Sequence, residues 1–372
     1  MAPPSLLIVC DFNGHGGTQT QVLELLAALD RSRLTPMLAT LNLDPALGRR
    51  LGDLDVTVEN LELEGAVRPH TFRALSRLAG RIRRDGIRLV HGFLFQGNLA
   101  AAIAARSAGV PYLTSVRNLE LWKRPHEILA SRWAHRGARC VTFNSRHVRD
   151  LVSGREGIPR VRTHVIANGL GAERPATASR ASGDDLWPEG SDPKLVCVAS
   201  LSAKKDHLHL LDAFARVQRR LPRAGLALVG EGPERGRILH RARALGIAAR
   251  VNLAGRREEA RSVIAAADLL VLSSIEEGMP NVVLEAMAAG VPQVATAVGG
   301  TPETVEEGIT GYLVPPRDPA LMAERILRLL TSPDRLAGFG ERSRESFGRR
   351  FTAARMARDH EDLYGEILGR AA

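Results

Sequence analysis

Short aliphatic and β-branched runs alternate along this chain with longer stretches in which apolar residues recur every three or four positions. Residues 6–10 form an unbroken apolar run ending at Cys10, the pattern of a strand buried on both faces. A Gly-rich turn follows, and then Val22, Leu25, Leu26 and Leu29 fall on one helical face. The same rhythm predicts strands at 37–41, 56–58, 88–91, 112–116, 139–143 and 162–166. Residues 171–193, rich in Ala, Gly, Ser, Pro and Asp, interrupt it and read as a linker. It restarts at 195–198 and continues at 225–229, 251–253, 269–272, 293–295 and 312–314. Asp318-Pro319 is an N-cap followed by proline at the first helical position, opening a helix to about Leu330. A last helix starts after Thr352, with Met356, Leu363, Tyr364 and Ile367 on one face. Strands alternating with helices predict parallel βαβ units. Two doubly wound α/β domains result, at 1–170 and 194–350, with residues 351–372 as a helix packing back on the first. No short repeat of the solenoid kind is present.

Composition agrees. Of 372 residues 44% are apolar and 25% charged, which suits a soluble globular chain with sizeable cores and excludes a disordered or collagen-like one. Three cysteines, Cys10, Cys140 and Cys197, lie far apart in apolar runs, so buried thiols in a reducing compartment are expected. The N-terminus lacks a basic region before its apolar stretch, and no apolar run approaches ~18 residues. The expectation is a cytoplasmic protein, with peripheral attachment to the inner face of a membrane left open.

The net charge of +10 alters the picture, because it is local. Residues 1–64 carry 4 basic and 9 acidic side chains, residues 65–170 carry 19 and 5, and residues 171–372 carry 28 and 27. Only Lys123, Lys194, Lys204 and Lys205 are lysines; the other 47 of the 51 basic residues are arginines. GC-rich coding accounts for arginine over lysine but not for the clustering. A charge of this kind points to nucleic acid, a membrane surface or a phosphorylated ligand.

The densest chemistry lies at 273–303, SSIEEGMPNVVLEAMAAGVPQVATAVGGTPE. A strand ends near Leu272, and Glu276-Glu277-Gly278 then forms a loop at its carboxyl end, where open α/β sheets bind ligands. Pro280 and Asn281 start a helix, and the N–H groups of Asn281, Val282 and Val283 would point from its N-terminus as an anion site suited to a diphosphate. Glu277 precedes that helix and Glu285 sits on its second turn, so the two carboxylates reach different parts of one elongated ligand. Carboxylates accept from vicinal hydroxyls, as in ribose and sugar diols. Either Glu alone would read as a solvated or helix-terminal acid; the surrounding string tips the balance.

The E-x7-E pair within EEGMPNVVLEAMAAGVP resembles the signature of the GT4-type retaining glycosyltransferases. Five further segments agree in order: Gly16-Gly17, 165–169 (VIANG), 229–233 (VGEGP), 298–303 (VGGTPE) and 311–315 (GYLVP) resemble elements of that family along nearly the whole chain. The resemblance implies a GT-B fold, two Rossmann-like domains facing a central cleft. It implies a nucleotide-diphosphate sugar as donor substrate, no other cofactor and no metal. Gly16 and Gly17 would line the donor side, Lys205 would bind the diphosphate, Glu285 the ribose and Glu277, with Gly278 beside it, the transferred sugar. The Asn281–Val283 amides would face the phosphates, Glu231 would belong to the donor site, and Arg256 would lie by the nucleobase, a place Arg257 could equally take. Two departures stand out. Ser200 occupies a position where the family often has arginine, and Arg117 one where many members have histidine. Arg117 is charged and can bind a phosphate or sugar oxygen, but it cannot transfer a proton at neutral pH. The implied reaction therefore rests on stabilising charge on a good leaving group, with Glu277, Lys205 and Arg117 as its catalytic candidates. Asp184-Asp185 falls in the linker and reads as a solvated turn.

His15, His91 and Asn118 are candidates for the acceptor side; a structural histidine at a strand end fits His91 equally well. In the basic segment Arg73, Arg77, Arg81 and Arg84 form one helical stripe, and Arg117, Lys123, Arg124, Arg132, Arg136 and Arg139, with Trp122 and Trp133 nearby, form a second cluster. Arginines beside tryptophans suit an anionic membrane surface, and an ordinary solvated face with core tryptophans suits them equally. The expected activity is transfer of a sugar to a saccharide or lipid-linked saccharide in cell-envelope or exopolysaccharide synthesis. A nucleotide-sugar epimerase or a small-molecule glycosyltransferase is the nearer alternative. A nucleic-acid-binding protein is the distant one: aromatics are only 4%, too few for a stacking platform, and no recognition motif appears. Donor base, sugar, acceptor and oligomeric state stay open at this level.

Overall fold

The computed structural model describes residues 3–14, 16–63, 69–171, 186–257 and 260–369. The chain divides into two compact units, Met1–Gly171 with Thr352–Ala372, and Ala172–Phe351.

The first unit runs β1 (Ser5–Phe12), α1 (Gly17–Ala28), β2 (Thr35–Leu43), α2 (Pro45–Gly52), β3 (Thr57–Asn60), α3 (Pro69–Arg84), β4 (Ile87–Phe93), α4 (Leu94–Ala108), β5 (Tyr112–Val116), α5 (Pro125–Gly137), β6 (Cys140–Phe143), α6 (Arg146–Glu156) and β7 (Thr163–Val165). The second runs β8 (Lys194–Val198), α7 (His207–Arg220), β9 (Gly225–Val229), α8 (Arg235–Ala244), β10 (Val251–Gly255), α9 (Ala260–Ala265), β11 (Leu269–Leu272), α10 (Asn281–Ala289), β12 (Gln293–Thr296), α11 (Thr301–Thr304), β13 (Gly311–Val314), α12 (Pro319–Leu330) and α13 (Pro333–Arg350). The closing helix α14 (Ala353–Gly369) returns to the first unit.

Both sheets are parallel. Their strand orders are β3-β2-β1-β4-β5-β6-β7 and β10-β9-β8-β11-β12-β13. In each, the chain starts centrally, builds outward on one side, then crosses back, which leaves a switch point between β1 and β4 and between β8 and β11. Loops on either side of such a point diverge at the carboxyl ends of the strands and leave a crevice for a ligand. The strands are apolar runs because helices cover both faces: β5, β9 and β11 are buried along their whole length. Asp318 caps α12, its carboxylate accepting from the Leu321 N–H at 2.9 Å.

Helix α14 completes a core of the first unit. Met356, Ala357, Leu363, Tyr364 and Ile367 join Leu6, Ile8, Cys10 and residues of α1 in one buried cluster. Glu361, 4% exposed, accepts from the Asp30 N–H at 2.7 Å and from Arg33 at 2.9 Å. Part of the expected linker, with Asp184-Asp185, lies outside the described residues. From Leu186 onward the chain is packed rather than free: Leu186 and Trp187 are buried, and Trp187 Nε1 donates to the Leu195 carbonyl at 2.7 Å. All three cysteines are free and buried. Among the described residues no helix is long and apolar enough to cross a membrane.

Candidate functional site

The second unit gathers its candidate residues at the β8/β11 switch point. Lys205 lies in the loop after β8 and Glu277 in the loop after β11, 72 residues further on. Lys205 Nζ donates to Glu277 Oε1 at 2.5 Å, and Ser274 Oγ donates to the same oxygen at 2.6 Å. The second carboxylate oxygen accepts no hydrogen bond among the described residues, although Glu277 is only 8% exposed. The two loops are also tied through the backbone: Ser273 Oγ donates to the Lys205 carbonyl at 2.8 Å, and the Ile275 N–H to the Lys204 carbonyl at 2.9 Å. Behind Glu277 runs the 298–303 segment. Gly299 has φ +56°, and a Cβ there would meet the Glu277 carbonyl oxygen at 1.7 Å. The Gly300 N–H donates to the Gly278 carbonyl at 2.7 Å. The glycine pair thus lets one loop lie directly against the loop that carries the carboxylate.

Helix α10 starts at once after this loop. Its N-cap is Pro280, which has no side chain able to cap it, so the helix begins here at the positive end of its dipole. One expectation needs correction: the Val283 N–H donates to the Pro280 carbonyl at 3.2 Å in a tight first turn and is not available to a ligand. Glu285 and Asn281 on α10 are half-buried. Ser200 is exposed, its hydroxyl 3.1 Å from that of Ser202. Glu231 is 55% exposed along its side chain and 3.8 Å from Arg235, and Arg256 is exposed after β10. Burial lowers the His207 imidazole to about 4 and raises the Cys197 thiol to about 12, so both are neutral. Ser273 and Ser274 carry no role in the sequence reading, although they stand as a serine pair just before the acidic loop, and Gly299 enters it only as part of the 298–303 motif.

In the first unit Arg117 follows β5 and is 6% exposed. Its Nη2 donates to Asn168 Oδ1 at 2.9 Å, while Nε and Nη1 have no partner. Phe93, at the end of β4, lies under the guanidinium at 5.7 Å. Burial pulls Arg117 down to about 10, still charged at neutral pH. Asn168, part of the VIANG string, thus has a definite task. Asn118 is taken up locally, its Oδ1 accepting from the Glu120 N–H at 2.9 Å. Gly16 N-caps α1 through its backbone, and Gly17 begins the helix. His15 lies outside the described residues.

His91 is not placed for an acceptor. It is fully buried, Nδ1 2.7 Å from the Tyr364 hydroxyl and Nε2 2.8 Å from the Ser115 hydroxyl. It joins α14 to the sheet, and burial keeps it neutral. Lys123 is not a surface residue either. Its ammonium is held by Glu120, by Ser131 Oγ at 2.5 Å and by Glu156 Oε1 at 3.2 Å. A lysine within an otherwise basic cluster is buried here because two carboxylates compensate it. Arg81 is paired with Glu59 at 3.0 Å and Asp85 at 2.9 Å. Arg73, Arg77, Arg84, Trp122 and Arg124 are exposed.

Residues 192–332 match the family described as "Glycosyl transferases group 1", and residues 16–169 the "Glycosyl transferase 4-like domain". An N-acetyl-alpha-D-glucosaminyl L-malate synthase of Bacillus anthracis is 34% identical over 178 residues, 48% of this chain and 46% of that one. A GDP-mannose-dependent alpha-(1-6)-phosphatidylinositol monomannoside mannosyltransferase of Mycobacterium tuberculosis is 31% identical over 56% of this chain and 57% of its own. The chain thus spans about half the length of these curated relatives. The crystal structure of Anabaena Alr3699/HepE in complex with UDP-glucose superposes with a TM-score of 0.84 at 21% identity, covering 97% of this chain and 99% of that one. The two-domain α/β fold is the same.

Proposed function

The chain belongs to the group 1 glycosyltransferases, and from that premise we propose that it transfers a sugar, with retention, from a nucleotide-diphosphate donor to a hydroxyl of a saccharide or lipid-linked saccharide acceptor. The observation that carries this reading is the Lys205–Glu277 pair across the β8/β11 switch point, beside the N-terminus of α10. A cation, the amide end of a helix and a carboxylate form a mixed site. Its first two parts suit phosphates and its third suits sugar hydroxyls.

In this reading the donor diphosphate draws Lys205 away from Glu277, and the ammonium and the α10 dipole stabilise charge developing on the leaving group. Glu277, freed from its lysine, accepts from hydroxyls of the transferred sugar. Ser274 holds the carboxylate in place meanwhile. Glu285 binds the ribose. The acceptor attacks the face the nucleotide leaves, and a leaving phosphate oxygen takes its proton, so no protein base is needed. This fits arginine rather than histidine at position 117. The charge is met by Lys205 and the amides, and the reading invokes no metal. The relative named for a phosphatidylinositol mannoside supports a lipid-linked acceptor; a place in cell-envelope or exopolysaccharide synthesis, on the cytoplasmic side of a membrane, is part of the same proposal.

Glu285→Ala should weaken nucleotide binding about tenfold or more, and Glu277→Ala should mainly lower kcat. A thermal-shift screen with UDP, GDP, ADP and their sugars identifies the donor, since a ligand of the folded state raises its stability by mass action. Unchanged kinetics in both variants with that donor would overturn the assignment.

A further inference from the structure

Among the described residues, Arg117 and Lys123 are the only lysine or arginine side chains that are buried. They are treated oppositely. Lys123 meets two carboxylates, Glu120 and Glu156, so its charge is compensated. Arg117 forms no ion pair among the described residues. The one hydrogen bond of its guanidinium goes to Asn168 Oδ1, a neutral acceptor, and Nε and Nη1 are buried without a partner. The ionisable groups that act on it to favour its charge are the Tyr364 hydroxyl and the Cys10 thiol. Burial raises both above the physiological range, so neither supplies a negative charge. His91 and His360, stacked near Tyr364, are neutral as well.

The place of Arg117 in the fold is one where ligands bind. It leaves the carboxyl end of β5, and its guanidinium lies over the ring of Phe93, the last residue of the neighbouring β4. Strand β4 borders the β1/β4 switch point, and Cys10 lies on β1 at its other side. Phe93 is also the N-cap of α4, a helix of 15 residues with no side-chain cap, so the positive end of a dipole adds to the charge there. A buried cation without a counter-ion is strongly destabilising, and nothing in the unit offsets that cost. An anion brought from outside would.

We propose that Arg117 determines acceptor specificity by pairing with the anionic group, a carboxylate or a phosphate, of a negatively charged saccharide acceptor. The inference rests on the glycosyl-transfer reading and narrows its acceptor from saccharides in general to acidic ones. No carboxylate holds the side chain in, so turning the guanidinium out to meet an anion gives up only the bond to Asn168 and the contact with Phe93. The charge-assisted hydrogen bonds gained are stronger than the neutral one lost. A neutral saccharide leaves the cation unpaired and is rejected for that reason. The donor diphosphate has a cation of its own in Lys205, which belongs to the other unit.

The test is thermal unfolding of the full chain with glucuronate, glucose 6-phosphate or glucose, which share one sugar skeleton, at constant ionic strength. At least one of the two anions should raise the melting temperature and glucose should not; the larger response tells carboxylate from phosphate. Arg117→Met should weaken that response at least about tenfold in apparent affinity, and Arg117→Lys should restore part of it. Lys205→Met should leave it in place, because the anion does not sit at the donor site. Without ligand, Arg117→Met should melt no lower than the wild type, since an unpaired buried charge has been removed; an arginine kept for structure would give the opposite. No response to either anion, or a response undiminished in Arg117→Met, would overturn the proposal. So would a response lost in Lys205→Met, or a lower melting temperature of ligand-free Arg117→Met. The shift given by UDP, GDP or ADP, measured alongside, reports on the donor site. Its absence from the wild type counts against the donor reading alone, whereas its loss in Arg117→Met assigns the arginine to the donor and overturns the proposal.

Discussion

Glu277 has little freedom: two donors hold one oxygen, and the glycine pair at 299–300 presses on its backbone. Gly299→Ala combines a strained φ of +56° with a Cβ placed 1.7 Å from the Glu277 carbonyl oxygen, so the acidic loop must move. The expected loss is about 1–3 kcal/mol of stability for the backbone strain, with kcat falling further because the carboxylate shifts. Gly308→Ala is the control: φ is +74° there, but nothing lies within 4 Å of the added Cβ. Thermal melts and kcat of the two variants separate strain from displacement; identical behaviour would deny the contact any special weight. Three polar side chains have partners that their own neighbours in the sequence do not reveal. Lys123 reads as one more cation of a basic segment, yet it is the centre of a buried cluster with Glu120 and Glu156. His91 reads as a strand-end histidine and turns out to bridge to Tyr364, 273 residues away. Arg117 was singled out by position, but nothing local shows that two of its nitrogens are buried and unpaired.

Among elements, arginines cluster for a reason that needs no ligand. The last turns of α3, α4, α5 and α6 carry Arg81, Arg83, Arg84, Arg106, Arg136 and Arg155, and α7, α8, α12 and α13 end likewise. Cations there complement the helix dipole, and a parallel sheet gathers these helix ends at the amino edge of its strands. Part of the local positive charge thus belongs to the topology. Arg162 shows the effect from outside α5, since it satisfies the last carbonyls of that helix. Arg162→Ala should cost roughly 1–3 kcal/mol and fray that turn, visible as faster amide exchange from 134 to 138 than in Arg160→Ala. Every strand of the two sheets overlaps a run visible in the sequence; the central ones, such as β5, β9 and β11, are covered on both faces and therefore apolar throughout. Helix α13 was not visible. Gly338, Gly340 and Gly348 and the buried Ser343 and Ser346 blunt its apolar period, and those serines are satisfied by the Thr310 carbonyl at 2.7 Å and Glu306 at 2.8 Å.

For the molecule as a whole, buried histidines set the acid limit. Burial lowers His207 to about 4 in the second unit and His360 to about 3 in the first, where His91 is also held well below its usual value. In the unfolded chain each titrates near 6.5. Above that pH neither state binds the proton, and stability is fully present. As pH falls from about 6.5 toward 4, only the unfolded chain is protonated, and each histidine removes about 1.4 kcal/mol per pH unit. Urea unfolding should therefore show stability dropping between about pH 6.5 and 5 in both units. His207→Leu should flatten the slope for the second unit, and His360→Leu should reduce it for the first. A level profile through that window contradicts the assignment.

The sequence by itself determined the alternation of strands and helices, their parallel arrangement, the start of α12 at Asp318-Pro319 and the E-x7-E string. These are properties of near neighbours, written in apolar periods of two or 3.6 and in capping residues. Only the tertiary structure decided which charges meet. Lys205 finds Glu277 across 72 residues, Arg117 finds Asn168 across 51, and α14 closes a core begun at β1. Such pairs follow from strand order and the return of the chain at the switch points. Nothing in a residue's own neighbourhood carries that information, because two segments far apart in sequence become adjacent only once the sheet has placed them.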